Sequence, residues 1–171
     1  MDNHYPIEQL ARSTSTRFQM GVARMTMHLL PGFRDVGLEP SADGLRILAA
    51  NEDALALPGE AIRQIHADEV DISEPRVRLL YADRVLEPIM WVRAASDRHF
   101  TEVVIQDLVR RTAEIDEVDW LAAVPVVRAR APMRALIGYP KALAALTHDT
   151  ADLRMWVSHY APVPPDPGKA A

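Results

Sequence analysis

No cysteine occurs in the 171 residues, so disulfides and thiolate metal centres are excluded. Glycine is scarce: the seven glycines stand at 21, 32, 37, 44, 59, 138 and 168. They never make the G-x-x-x-x-G-K-[ST] spacing that wraps nucleotide phosphates in backbone amides. No apolar run approaches the roughly 20 residues of a membrane-spanning helix. The opening MDNHYPIEQLARS lacks the apolar stretch of a signal peptide. A basic surplus is also missing. The formal net charge is −5, which argues against a dedicated nucleic-acid binder. The six histidines, at 4, 28, 66, 99, 148 and 159, are scattered, and none pairs at i, i+4 as H-E-x-x-H requires. The expectation is a cytoplasmic protein with no cofactor, no metal, no membrane contact and no catalytic set. His148 beside Asp149 comes nearest to a catalytic pair, and it reads as a helix C-terminal histidine favoured by the helix dipole.

What is present is an ordinary globular composition, 49% hydrophobic and 25% charged. The length suits one domain or two small ones. Residues 1–83 carry 8 Lys+Arg against 13 Asp+Glu, whereas residues 84–160 carry 10 of each. Two units are expected, joined near YADR (81–84), followed by a frayed, proline-rich tail at 164–171.

In the second unit, strand and helix periods alternate. LEPIMWVRAA (86–95) reads as a strand. Ser96 or Asp97 can cap a helix. Phe100, Val104 and Leu108, with Val103 beside them, make its apolar face. AEIDEVDW and VPVVRARAPM read as two strands joined near Leu121–Ala123. Pro140 suits the first turn of a second helix carrying Leu143 and Leu146. ADLRMWVSHY (151–160) closes as a strand. The order is β-α-β-β-α-β, a ferredoxin-like unit.

The first unit reads more faintly. The first fifteen residues are expected to be loose, with IEQLA at most a helical turn. FQMGVARMTMHLL (18–30) and GLRILAA (44–50) read as strands, and GEAIRQIH (59–66) as a short helix. EVDISEPRVRLLY (69–81) reads as a last strand with a proline at an edge or bulge. This describes a ferredoxin-like unit that has lost or shortened its first helix. The fold class expected is α+β: two antiparallel sheets, each with helices on one face.

Such a sheet leaves its other face open, and period two lets that face be read. In the second unit, Leu86, Met90, Val92, Ala94, Val127, Ala129, Ala131, Leu153, Met155 and Val157 should face the helices. The open face then gathers Trp91, Arg93, Arg128, Arg130, Arg154, Trp156 and Tyr160. Tryptophan and arginine dominate binding hot spots, and arginine beside aromatics on an open sheet also holds single-stranded RNA. Two exposed tryptophans otherwise call for cover. Packing against the acidic first unit or a second copy of the chain is the favoured account, with a protein partner next and RNA last. The acidic run Glu114, Asp116, Glu117, Asp119 could hold a hard cation, but reads as a solvated sheet edge. Arg110 and Arg111 end a helix, where cations suit the dipole.

LEPIM (86–90), DLVRR (107–111), VVRARAPM (126–133) and IGYPKALAALT (137–147) stand in the order and spacing of one known domain. Together with LRMWVSHY (153–160), they make residues 84–163 resemble the C-terminal domain, domain V, of elongation factor G, a ribosomal translocase. PGFRD (31–35), ADGLRILAANEDAL (42–55) and VDISEPRV (70–77) make residues 1–83 resemble that family's domain III. Residues 82–85 leave no room for the family's domain IV. The GTPase that makes the family an enzyme has no counterpart here. Two places depart from the pattern. The family carries a glycine after the paired arginines, where Thr112-Ala113 stands. It carries a Gly-Arg-Gly turn before the last strand, where Asp149-Thr150-Ala151-Asp152 stands, and this acidic turn weakens any inherited RNA contact.

The resemblance implies a stand-alone, non-enzymatic, ribosome-associated protein that binds a ribosome component or protein partner in translation. It also makes Arg110 and Arg111 candidate phosphate contacts. The alternative is a regulatory or small-ligand module of the same fold with no ribosomal role.

Overall fold

The structure, a computed structural model, describes residues 5–164. The chain divides into two units between Arg78 and Leu79. The tail expected at 164–171 falls, from residue 165 onward, outside the described residues.

The first unit contains β1 (Ile7–Ser13), α1 (Gln19–Leu29), β2 (Val36–Ser41), β3 (Gly44–Ala49), α2 (Ala56–His66), β4 (Val70–Ile72) and β5 (Arg76–Val77). The strands pair antiparallel in the order β2-β3-β1-β4, and β5 also pairs with β1. This is a complete β-α-β-β-α-β unit, so the expected loss of the first helix is corrected. Residues 18–30 are that helix, not a strand. Gln19, Met20, Ala23, Arg24 and Met27 are better helix than strand formers, and Ala23 and Thr26 bury one helical face. β1 lies in a segment expected to be loose. IEQLARS has weak strand propensity, but β1 is paired on both edges, with Ile7 and Glu8 both buried. Tertiary pairing overrode local preference. The expected strand at 69–81 is interrupted. Pro75, which has no N–H to donate, separates β4 from β5. Gly44 is required where β3 begins: its φ is +137°, and a Cβ there would collide with the Ala11 carbonyl.

The second unit contains β6 (Leu80–Tyr81), β7 (Val85–Ala95), α3 (Arg98–Arg110), β8 (Glu114–Asp119), β9 (Val126–Pro132), α4 (Met133–Leu136), α5 (Tyr139–Thr147) and β10 (Asp152–Pro162). The order β10-β7-β9-β8 repeats the topology of the first unit, with β6 added alongside β7. Met90, Val92 and Ala94 of β7 and Val127, Ala129 and Ala131 of β9 are buried with Val104, Leu108, Leu136, Tyr139 and Leu143 of the helices. Truncating a fully buried leucine such as Leu108 to alanine costs about 2–5 kcal/mol.

Two local expectations change, and His148 falls at the helix end expected of it. The buried face of α3 runs Thr101-Val104-Leu108, and Val103 is 41% exposed. Asp97 occupies the N-cap, yet its side chain makes no capping bond. Its carbonyl instead accepts from the Phe100 N–H (2.9 Å) and the Thr101 hydroxyl (3.3 Å). His148 ends α5 in the left-handed region, with its ring edge-on to Phe100 at 5.7 Å.

Candidate functional site: the open face of the second sheet

Register decides which side chains share this face, because directly opposed residues on antiparallel strands point the same way. Arg93 of β7 lies between Arg154 of β10 and Arg128 of β9. Trp91 lies between Trp156 and Arg130 in the next row. Six of the seven expected residues therefore lie in two adjacent rows. Trp156 is 49% exposed, and the Arg130 guanidinium sits over the Trp91 ring at 5.3 Å.

Tyr160 is the exception. A register shift between Val157 and His159 inserts one residue, and alternation reverses beyond it. Tyr160 then opposes Pro88, which is in phase with Met90 and Val92 on the helix-facing side, and its hydroxyl is buried. His159 opposes Ile89 and continues the open face, with Nδ1 at 3.1 Å from the Ser158 hydroxyl. A bulge leaves no mark in a hydrophobic pattern, so sequence alternation selected Tyr160 where the fold presents His159.

The four arginines do not form a free basic patch. Arg93 donates to Asp152 at 2.9 Å, and Arg154 lies 3.7 Å from the same carboxylate. Arg128 donates to Glu117 at 2.6 Å. Arg130 holds Asp116 through Nε and Nη2, with Nη2 to Oδ1 at 2.6 Å, and lies 3.4 Å from Glu114. The hydrogen bond that Arg130 donates to Asp116 raises its pKa above the ordinary value, against a partial desolvation.

Each pair is at least partly open to solvent and contributes only about 0.2–1 kcal/mol. Their collective effect is neutralisation: four arginines face Glu114, Asp116, Glu117 and Asp152. Without those acids, Arg154, Arg93 and Arg128 would repel across one row. The acidic strand read as a solvated edge is thus the counter-charge of the face. The signal that could have shown this is cross-strand pairing, since Glu114 opposes Arg130 and Glu117 opposes Arg128. The bulge at Asp116 brings a third acid to the same side.

Arg110 and Arg111 belong elsewhere, because α3 covers the opposite side of the sheet. Arg110 is exposed in the last turn of α3. Arg111 is held in place: it bonds Asp107 at 2.8 Å, donates to the Ala135 carbonyl at 3.0 Å and stacks over Tyr139 at 5.1 Å. Tyr139 is buried, and desolvation pushes its pKa well above the ordinary value, with Asp107 adding to the shift and Arg111 opposing it.

The two glycine departures sit at left-handed backbone. Thr112 follows α3 at φ 61°, and His148 and Asp149 follow α5 at 51° and 61°. The turn after α5 carries no arginine. Asp152, which opens the next strand, is committed to Arg93.

Among the described residues, no group of three or more His, Cys, Asp or Glu side chains could hold a metal ion, and no helix is long and apolar enough to cross a membrane.

Comparison with known proteins agrees with this architecture. A solved structure from Thermus thermophilus superposes over 94% of this chain and 41% of its own, with a TM-score of 0.64 at 16% identity. That likeness speaks for the fold. Among curated relatives, elongation factor G of Fervidobacterium nodosum is 35% identical over 80 residues, and that of Granulibacter bethesdensis is 33% identical over 81. Each alignment covers 47% of this chain and only 12% of the relative's length. The family model described as elongation factor G C-terminus matches residues 84–170, the second unit and the open face with it, and the chain belongs to that family.

Proposed function

We propose that this chain is a non-catalytic binding module of translation that docks a ribosomal component or an associated protein through the open face of its second sheet. Residues 84–163 are read as the domain V-like unit and residues 1–83 as the domain III-like unit, a reading supported by the same strand order in both sheets. Family membership supports the setting. One observation carries the mode of binding: a tryptophan row, exposed at Trp156, lies on a face whose arginines are matched by carboxylates. Tryptophan beside arginine makes an effective protein hot spot. A phosphate backbone would first have to displace Asp116, Glu117 and Asp152. A protein surface is therefore favoured over RNA as the direct contact.

The test is co-sedimentation with purified ribosomes across a salt series. Binding should change little with salt, whereas phosphate contacts would give a log–log slope of roughly −0.7 to −0.9 per contact. Trp156→Ala should weaken binding about tenfold or more, the scale of a hot spot of about 2 kcal/mol. Absence of the wild-type chain from the ribosomal pellet, or a Trp156→Ala variant that binds like wild type, would sink the reading.

A further inference from the structure

The second sheet treats its two edges differently. A strand at an edge presents a row of unpaired N–H and C=O groups, which another chain can pair with. At one edge, the six residues of β8 include four carboxylates, Glu114, Asp116, Glu117 and Asp119, and a bulge falls between Ile115 and Glu117. Charge and bulge both keep a further strand off. At the other edge, β10 is 11 residues long, and among the described residues it pairs with β7 alone. Not one of its residues is buried. Its register with β7 is regular from Asp152 to Val157 and shifts only beyond. Formal charge in that run is confined to Asp152 and Arg154.

The side chains beside this edge narrow what can lie on it. Arg154 and Trp156 stand on the open face, the arginine side chain 72% exposed. Arg154 lies 3.7 Å from the Asp152 carboxylate, beyond hydrogen-bond distance. That carboxylate already accepts from Arg93 at 2.9 Å. Arg93, Arg128 and Arg130 each donate to an acid, so among the described residues Arg154 is the arginine of this face with no hydrogen bond to a carboxylate.

We propose that the Asp152–Val157 edge takes an extended segment of a partner protein as an added strand. The proposal rests on the docking function argued above and names the form the partner takes there. Main-chain pairing is what the edge offers, and an extended polypeptide has donors and acceptors at the matching repeat. Directly opposed side chains share a face. The segment therefore carries a carboxylate opposite Arg154 and, two residues away, an apolar side chain opposite Trp156. A second copy of β10 is a poor match, because its only acid is Asp152, which Arg93 holds. A nucleic-acid strand has no backbone amides to give the β10 carbonyls.

Hydrogen exchange of the full chain, free and pelleted with purified ribosomes, tests the proposal by mass spectrometry of peptides spanning residues 152–157. In the free chain every second amide of that run points away from β7 and should exchange fast. In the pelleted chain those amides should exchange about tenfold more slowly or less. Arg154→Glu should weaken ribosome binding about tenfold or more. Its side chain is exposed, and far-ultraviolet circular dichroism should show the fold unchanged. Ribosome binding with unaltered exchange in β10 overturns the proposal and leaves docking through the open face standing. Absence of the wild-type chain from the pellet overturns both. Slow exchange of the whole run in the free chain, lost on dilution, would place a second copy on this edge and overturn the proposal. So would an Arg154→Glu variant that binds like wild type.

Discussion

Thr112→Gly should stabilise the second unit, and the reason lies at the end of α3. The Ala113 N–H bonds the Leu108 carbonyl at 3.0 Å and the Thr112 N–H bonds the Val109 carbonyl at 3.0 Å. This double closure requires a left-handed residue at 112, a place usually taken by glycine. Thr112 meets the requirement at φ 61°. Left-handed backbone costs an L-residue about 1–2 kcal/mol, and β-branching puts threonine among the residues least suited to it. Glycine removes that strain but adds freedom to the unfolded chain, a loss of roughly 0.5–1 kcal/mol. The net gain is about 0.5–1 kcal/mol, or a rise in Tm of about 2–8 °C for a domain of this size. All three tryptophans, Trp91, Trp120 and Trp156, lie in the second unit. Tryptophan fluorescence during thermal or urea unfolding therefore reports that unit alone, even if the two units melt separately. Thr112→Ala, which keeps the Cβ, should recover less than Thr112→Gly. A glycine variant equal to or less stable than wild type would refute the reasoning, because the Thr112 side chain would then contribute more than its backbone conformation costs.

Arg111→Ala should destabilise the second unit by about 1–2 kcal/mol, since it removes an ion pair and leaves the Ala135 carbonyl without its donor. Arg110→Ala should stay within about 0.5 kcal/mol in the same unfolding assay. Tyr139→Phe should be neutral or stabilising by up to about 1 kcal/mol, because the buried hydroxyl has no hydrogen-bond partner among the described residues. The variant should also flatten the alkaline limb of the stability curve. The folded-state pKa of Tyr139 is raised by burial, so its contribution is complete below the ordinary tyrosine value of about 10 and declines as pH rises beyond it. Urea midpoints measured from neutral to alkaline pH would show whether the phenylalanine variant escapes that decline.

The second unit was legible because its elements carry their own patterns. Met90-Val92-Ala94 and Val127-Ala129-Ala131 alternate at period two, and Val104 and Leu108 recur at helical spacing on α3. Both are local consequences of backbone geometry. The first unit was harder because two of its elements run against local signal. β1 sets Glu8, Gln9, Ala11 and Arg12 around Ile7 and Leu10, and exists through its pairing with β3 and β4. α1 has apolar side chains on its exposed as well as its buried face, which blurs helical periodicity.

The candidate site divides the same way. That Trp91, Arg93, Arg128, Arg130, Arg154 and Trp156 share a face follows from parity within each strand. That His159 replaces Tyr160 follows from a bulge, which parity cannot register.

By itself, then, the sequence determined the family, the α+β architecture of the second unit and the residues that leave its core. Each depends on neighbours a few positions apart. Only the tertiary structure decided what those outward residues meet. Arg93 finds Asp152 across 59 positions of chain, and Arg130 finds Asp116 across 14. Register between distant strands, together with two inserted residues, sets those encounters. They turn an apparent basic patch into a neutral aromatic one, because electrostatics depends on distance in space and not along the chain.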